Sequence, residues 1–162
     1  MDMISTVELH PIGVVRNTTT APKDDYWGGV VSTIELDQNQ FTEDSLNGID
    51  EFSHLEVIYL MHLVEEASVP RGARRPRNLS HLPLVGILAQ RPKARPNRLG
   101  LSRCRLLGRS ALTLTVQDLD AIDGSPVLDI KPYFREFAPR GDVRQPSWPA
   151  AILQHYYENG QG

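Results

Sequence analysis

At 162 residues, 40% of them apolar, and a net charge of −3, the chain suits one domain with a buried core, too short for two ordinary domains and too apolar for a disordered tail. A single cysteine, Cys104, excludes an internal disulfide framework and fits a reducing compartment. The first residues lack a basic start followed by an apolar run, and no window approaches the roughly 18 apolar residues of a membrane span. The expected protein is therefore cytoplasmic, without a membrane partner, and folds as one domain over residues 1–162.

Twelve prolines and twelve glycines separate hydrophobic runs of strand length, a spacing that favours a mainly β fold with many turns over a helical bundle. Val7 to Arg16 reads as a first strand, broken by Pro11 and Gly13 and so suited to an edge or a bend. Thr18 to Gly29 reads as a loop. Val30 to Leu36 reads as a half-buried strand with Val30, Ile34 and Leu36 on one face. Thr42 to Leu46 is expected to form one helical turn stopped at Asn47-Gly48.

Phe52 to Val64 is the longest apolar run, rich in strand formers and expected to be buried on both faces near its middle. On a regular strand its histidines, His54 and His62, share a face but lie roughly 26 Å apart at about 3.3 Å per residue. That spacing excludes a shared metal ion, and no metal is expected. Glu65 to Pro83 reads as a long basic loop and Val85 to Ala89 as a short strand. Two prolines keep Arg91 to Ser102 out of regular helix. Leu101 to Leu107 and Ala111 to Leu119 read as a hairpin turning at Gly108-Arg109-Ser110, the second strand alternating Leu112, Leu114 and Val116 with polar residues. Asp123-Gly124 marks a turn and Val127 to Ile130 a last short strand. A loop then runs to Pro149, which opens a helix with Ile152, Leu153 and Tyr156 on its apolar side and Gly160 as its stop.

The charge is unevenly spread. Between Arg71 and Arg109 lie eleven of the seventeen Lys and Arg and none of the twenty Asp and Glu. Such a block, rigidified by proline, favours an anionic ligand or nucleic acid, and Arg74, Arg75 and Arg77 in its long loop are the candidate RNA contacts. The hairpin brings this cationic stretch and the acidic stretch from Asp118 to Asp129 to one edge of a sheet. No G-x-G-x-x-G or G-x-x-x-x-G-K-[ST] signature follows any strand, and no serine sits in a nucleophile elbow. Cys104 lies within a strand pattern and reads as packing. Residue patterns alone thus reach a small β-rich protein with a polar edge site, without a reaction.

Several segments are nevertheless specific. Ile12-Gly13-Val14-Val15-Arg16, Pro22-Lys23, Phe52-Ser53-His54-Leu55, His62, Val85-Gly86-Ile87, Arg95-Pro96-Asn97-Arg98-Leu99-Gly100-Leu101-Ser102 and the run from Asp123 through Ser125-Pro126 to Tyr133 resemble the TsaA-like family, typified by tRNA methyltransferase O. The resemblance implies a single-sheet antiparallel β-barrel with a few short helices and a C-terminal helix, working as a homodimer. It further implies S-adenosyl-L-methionine as cofactor and transfer of its methyl group to N(6)-threonylcarbamoyladenosine in the tRNA anticodon loop.

By motif position, the family's cofactor contacts fall on Pro22, Lys23 and Asp24, on His62 and Leu63, on Arg91, on Leu101, and on Pro126, Val127, Leu128 and Asp129. Arg95, Asn97, Ser102 and Lys131 belong to the same motifs and are candidates for binding substrate. Arg91 suits the methionine carboxylate of the cofactor, and Asp129 is the first candidate for proton acceptor. The family's longer members carry Arg-Gln at Lys23-Asp24, threonine at Gln90 and Ser125, serine at Pro92, and a second C-terminal domain. Methylation of a small molecule, or a non-catalytic S-adenosylmethionine- or RNA-binding module, are the alternatives these departures leave open.

Overall fold

The computed structural model describes residues 5–160. Eight strands follow in chain order: β1 (Gly13–Arg16), β2 (Val31–Leu36), β3 (His54–Leu60), β4 (Ala73–Arg74), β5 (Val85–Gly86), β6 (Leu99–Ser110), β7 (Thr113–Gln117) and β8 (Pro126–Pro132). Six of them close into one antiparallel barrel in the order β1-β2-β7-β6-β3-β8, while β4 and β5 pair as a separate two-stranded ribbon. Closure removes the unpaired edges that an open sheet of short strands would expose.

The pleat sends alternate residues inward, and the sequence supplies apolar ones there. Val15, Ile34, Leu55, Val57, Leu114, Val116 and Val127 are all fully buried, with Tyr59 and Cys104 among them. Leu46, from a 3₁₀ turn at Glu43–Leu46, joins the same core. The expected alternation of β7 and the expected packing role of Cys104 both match this arrangement. β3, however, buries one face only: Leu55, Val57 and Tyr59 point inward while Glu56, Ile58 and Leu60 stay half-buried outside. In a single barrel no second layer covers the outer face.

Other boundaries differ from the pattern reading for local reasons. Residues 7–12 are not strand, and Val7 and Leu9 are exposed; Pro11 has no N–H to give to a ladder. The β6–β7 turn lies at Ala111 and Leu112, two residues later than expected, with Ala111 in the left-handed region (φ 49°). Gly108 sits inside β6 where the register slips between Leu106 and Gly108, a bulge rather than a turn. The segment from Glu65 to Pro83 is not structureless: it holds two 3₁₀ turns and β4, which pairs with β5. His62 lies beyond the end of β3, so it does not share a strand face with His54.

The C-terminal helix, α1 (Trp148–Ile152), is one turn long and stops well short of Gly160. Beyond it the backbone is engaged elsewhere. His155 and Tyr156 accept hydrogen bonds from the N–H groups of Tyr26 (3.1 Å) and Trp27 (2.8 Å), and Gly28 bridges Asn159 in parallel. A Cβ on Gly28 would lie 2.0 Å from the Tyr157 carbonyl oxygen, so glycine is what allows this strap to lie so close.

A second close approach lies inside the barrel. Gly100 faces Tyr59 across β6 and β3, and a Cβ there would stand 2.3 Å from Tyr59 Cζ. Gly100→Ala must displace the ring, and overpacking of this kind costs about 1–3 kcal/mol. Urea unfolding is expected to show that loss.

Candidate active site

Where β3 ends and β6 begins, a cavity of about 730 Å³ opens at one end of the barrel. Its walls come from Pro22, Lys23 and Trp27, from Tyr59, Met61, Leu63 and Val64, from the stretch between Leu88 and Leu101, from Asp120, Ile122 and Ser125, and from the C-terminal Leu153, Tyr156 and Tyr157. The cationic and acidic stretches therefore do meet at one edge. A wider, more open depression of about 920 Å³ between residues 11–14, 35–43 and 111–113 carries Glu35, Asp37 and Glu43 and no cation, a poor match for an anionic ligand.

Local structure explains how the acidic loop reaches the cavity. Asp118 ends β7 in the left-handed region (φ 67°), which aspartate tolerates better than most residues, and its carboxylate accepts the Gly29 N–H at 2.8 Å. Leu119 and Ala121 are then buried in the core, which leaves Asp120 between them to border the cavity. Asp123 is a structural group, with its carboxylate accepting the Asn17 N–H at 3.1 Å and its own N–H donating to Thr19 at 2.8 Å. The expected Asp123-Gly124 turn forms, with Gly124 at φ 79°.

Asp120 is the centre of the site. Its Oδ1 and its backbone carbonyl each accept from the Tyr59 hydroxyl at 2.9 Å, and its Oδ2 accepts from the Tyr156 hydroxyl. Burial, and next the Asp120 charge, push both phenols well above the ordinary tyrosine range, so they remain protonated donors. Asp120 thus takes one phenolic donor on each carboxylate oxygen and keeps lone pairs for a further one.

Across the cavity the cations divide by availability. Arg91 is exposed and, among the described residues, makes only a long bond, 3.4 Å, to the Leu101 carbonyl. Arg95 donates to the Gln90 carbonyl at 3.0 Å. Lys23 donates to the Tyr26 carbonyl at 2.7 Å and lies 4.5 Å from the Trp27 ring centroid. Gln90, 6% exposed, donates to the Arg74 and Val85 carbonyls and so ties the β4–β5 ribbon to the wall.

Of the residues expected at a site, Pro22, Lys23, Leu63, Arg91, Arg95, Asn97 and Leu101 border this cavity, and the others do not. Asp24 pairs with Lys93, whose hydrogen bond holds its carboxyl below the ordinary range. His62 has its Nδ1 buried without a partner among the described residues. Val127 is fully buried in the barrel, so its side chain cannot meet a ligand. Pro126 and Leu128 flank it on β8. Asp129 lies opposite Ile58 on β3, and its carboxylate pairs with Lys131 at 2.7 Å. Ser102 is buried, its hydroxyl oxygen 3.5 Å from the Asp120 nitrogen.

The basic block is partly internal wiring. Arg77 forks onto the Asp25 carboxylate with two bonds of 2.9 Å, Arg75 donates to the Leu82 carbonyl, and the Arg74 Nε is buried and unpartnered among the described residues. Lys93, Arg103 and Arg109 pair with Asp24, Glu56 and Asp50. No group of three or more His, Cys, Asp or Glu is placed to hold a metal among the described residues. Pattern reading missed Asp120, Tyr59, Tyr156, Tyr157, Trp27 and Ser125 as site residues. The only available signal was an acidic loop following an alternating strand.

The fold and cavity define a small antiparallel barrel with a loop-built cavity at one end and, among the described residues, no doubly wound nucleotide core. The family model for the tRNA-methyltransferase O N-terminal domain matches residues 15–138, and the chain belongs to this family. It is 38% identical over 135 residues to a probable S-adenosyl-L-methionine-binding protein of Methanothermobacter thermautotrophicus, covering 80% of this chain and 92% of the relative. It is 35% identical over 94 residues to the tRNA (adenine(37)-N6)-methyltransferase of Escherichia coli, covering 56% of this chain and 40% of that protein. The crystal structure of TrmO from Pseudomonas aeruginosa superposes with a TM-score of 0.68 at 29% identity, covering 86% of this chain and 61% of that one. The chain thus spans most of the archaeal relative but less than half of the Escherichia coli enzyme.

Breaking the Arg77 fork leaves Asp25 without its partner. Arg77→Ala is expected to lower stability by about 1.5–3 kcal/mol, the range for hydrogen bonds to charged groups. Arg71→Ala, at an exposed position, should change it by less than about 0.5 kcal/mol. Paired urea titrations check both.

Proposed function

We propose that this protein is an S-adenosylmethionine-dependent methyltransferase acting on tRNA, and that its acceptor is N(6)-threonylcarbamoyladenosine in the anticodon loop. The observation that carries the reading is the cavity at the end of this barrel, where a carboxylate held by two phenols shares the walls with an available guanidinium. The cavity's size falls in the range of roughly 300–1,000 Å³ typical of small-molecule sites, and its chemistry fits the cofactor. Arg91 offers planar donors for a carboxylate, Asp120 offers a negative charge to cationic groups, and Trp27, Ile122 and Leu101 supply apolar wall.

S-adenosylmethionine supplies an electrophilic methyl group on a sulfonium. The protein's part is alignment and charge. Trp27 and Ile122, both buried, give the cavity apolar wall, beside which electrostatic contacts are stronger than in bulk water. Asp120 is the carboxylate that accepts the proton leaving N(6) of the acceptor base, since it borders the cavity and Asp129 does not. Tyr59 and Tyr156 fix the orientation of Asp120 and, as protonated donors, do not compete for that proton.

A second reading has its own support. Four of the eleven block cations pair with carboxylates of the chain, leaving fewer for phosphates, and this favours a small-molecule acceptor. Radiolabelled methyl transfer separates the two. Label in tRNA from cells that make the threonylcarbamoyl modification supports the first, and label confined to small metabolites supports the second.

Calorimetry in metal-free buffer is expected to show S-adenosylmethionine binding. Arg91→Ala should weaken it about tenfold or more, as loss of a charge-assisted bond implies. Unchanged affinity would remove Arg91 from the site.

We also propose that the protein works as a homodimer in the cytoplasm. Leu63, Leu88 and Leu101 stand 52%, 78% and 43% exposed around the cavity mouth, apolar surface that a second subunit would cover. Light scattering at micromolar concentration should give a dimer mass, and a monomer mass would count against it.

A further inference from the structure

The family match ends at residue 138, yet the cavity wall continues through Leu153, Tyr156 and Tyr157. This strap is fastened by the backbone bonds to Tyr26 and Trp27 and by the bridge from Gly28 to Asn159. Its two tyrosines play different parts. Tyr156 is engaged with Asp120, whereas Tyr157 is 55% exposed, and its ring meets that of Tyr156 edge-on at 5.0 Å and 83°. One ring therefore braces the other while leaving its own surface at the cavity open.

A second observation also points to a ligand. Ser125 borders the cavity, is 1% exposed, and its hydroxyl has no hydrogen-bond partner among the described residues. Folded interiors seldom leave such a group unpaired. Lys23 and Arg95 stand on the same walls and suit a phosphate backbone.

We propose that the strap forms the acceptor side of the site, with Tyr157 stacking an unpaired purine of an RNA loop and the Ser125 hydroxyl bonding the polar edge of that base. The proposal rests on the tRNA reading above. Enzymes that modify a base draw it from its stack into a pocket and hold it by aromatic stacking and edge hydrogen bonds. Stacking is sequence-tolerant, because every base has a π face. The unpartnered hydroxyl is what adds selectivity, since a base that cannot bond it leaves it buried and unpaired.

The test compares two anticodon stem-loop RNAs, one with the target adenosine and one abasic at that position, each titrated against the full chain. Wild type should prefer the adenosine RNA by about tenfold or more, within the range for one base–aromatic stack. Tyr157→Ala should bring that ratio close to one, Tyr157→Phe should preserve it, and Ser125→Ala should reduce it. The melting temperature of each variant is measured alongside. A merely structural Tyr157 would weaken both RNAs equally and leave the ratio unchanged, a result that overturns the role of the strap but leaves the tRNA reading standing. A wild-type protein indifferent to the missing base overturns the proposal, and one that binds neither RNA overturns both it and the tRNA reading.

Discussion

Three parts of the chain far apart in sequence converge on one carboxylate. Tyr59 comes from inside the barrel, Asp120 from the loop after β7, and Tyr156 from the strap. A partly buried carboxylate is costly to desolvate unless donors replace its water, and here a phenol is supplied to each oxygen. Remove that pairing and the cavity loses its polar floor, and the strap loses the side-chain hydrogen bond that Tyr156 makes into the site.

The barrel makes this convergence possible. Closing the sheet puts the end of β3, the start of β6 and the start of β8 around one opening, so three connections contribute to one pocket without any long excursion. The close approach of Gly100 to Tyr59 extends the same logic inward, since the strand must come near enough for the ring to reach past it to Asp120. Outside the barrel, two cations and one amide settle the geometry of the rim. Arg77, Lys93 and Gln90 tie the Asp24-Asp25 loop and the β4–β5 ribbon to the cavity wall, which fixes the position of Arg91 while leaving its guanidinium nearly free.

In this arrangement the cavity wall includes residues from beyond the segment that the family model matches. The strap occupies sequence beyond the family match and supplies three wall residues. Long relatives continue much further, so a wall built after residue 138 is a place where members of one family can differ in what they accept while keeping the same barrel.

Much was legible in the residues themselves. The barrel and the candidates Leu63, Arg91 and Leu101 came from the family resemblance, whereas alternating Leu114 and Val116 predicted the inner face of β7, the prolines kept Arg91 to Ser102 out of helix, and Asp123-Gly124 marked its turn. These depend on steric preference and side-chain period, which act between neighbours in sequence. The place of Asp120 at the cavity, the internal pairing of Arg77, the true end of α1 and the presence of Tyr157 in the wall were not legible. Each depends on which distant group completes a hydrogen bond or an ion pair, and only closure of the barrel brings those partners within reach.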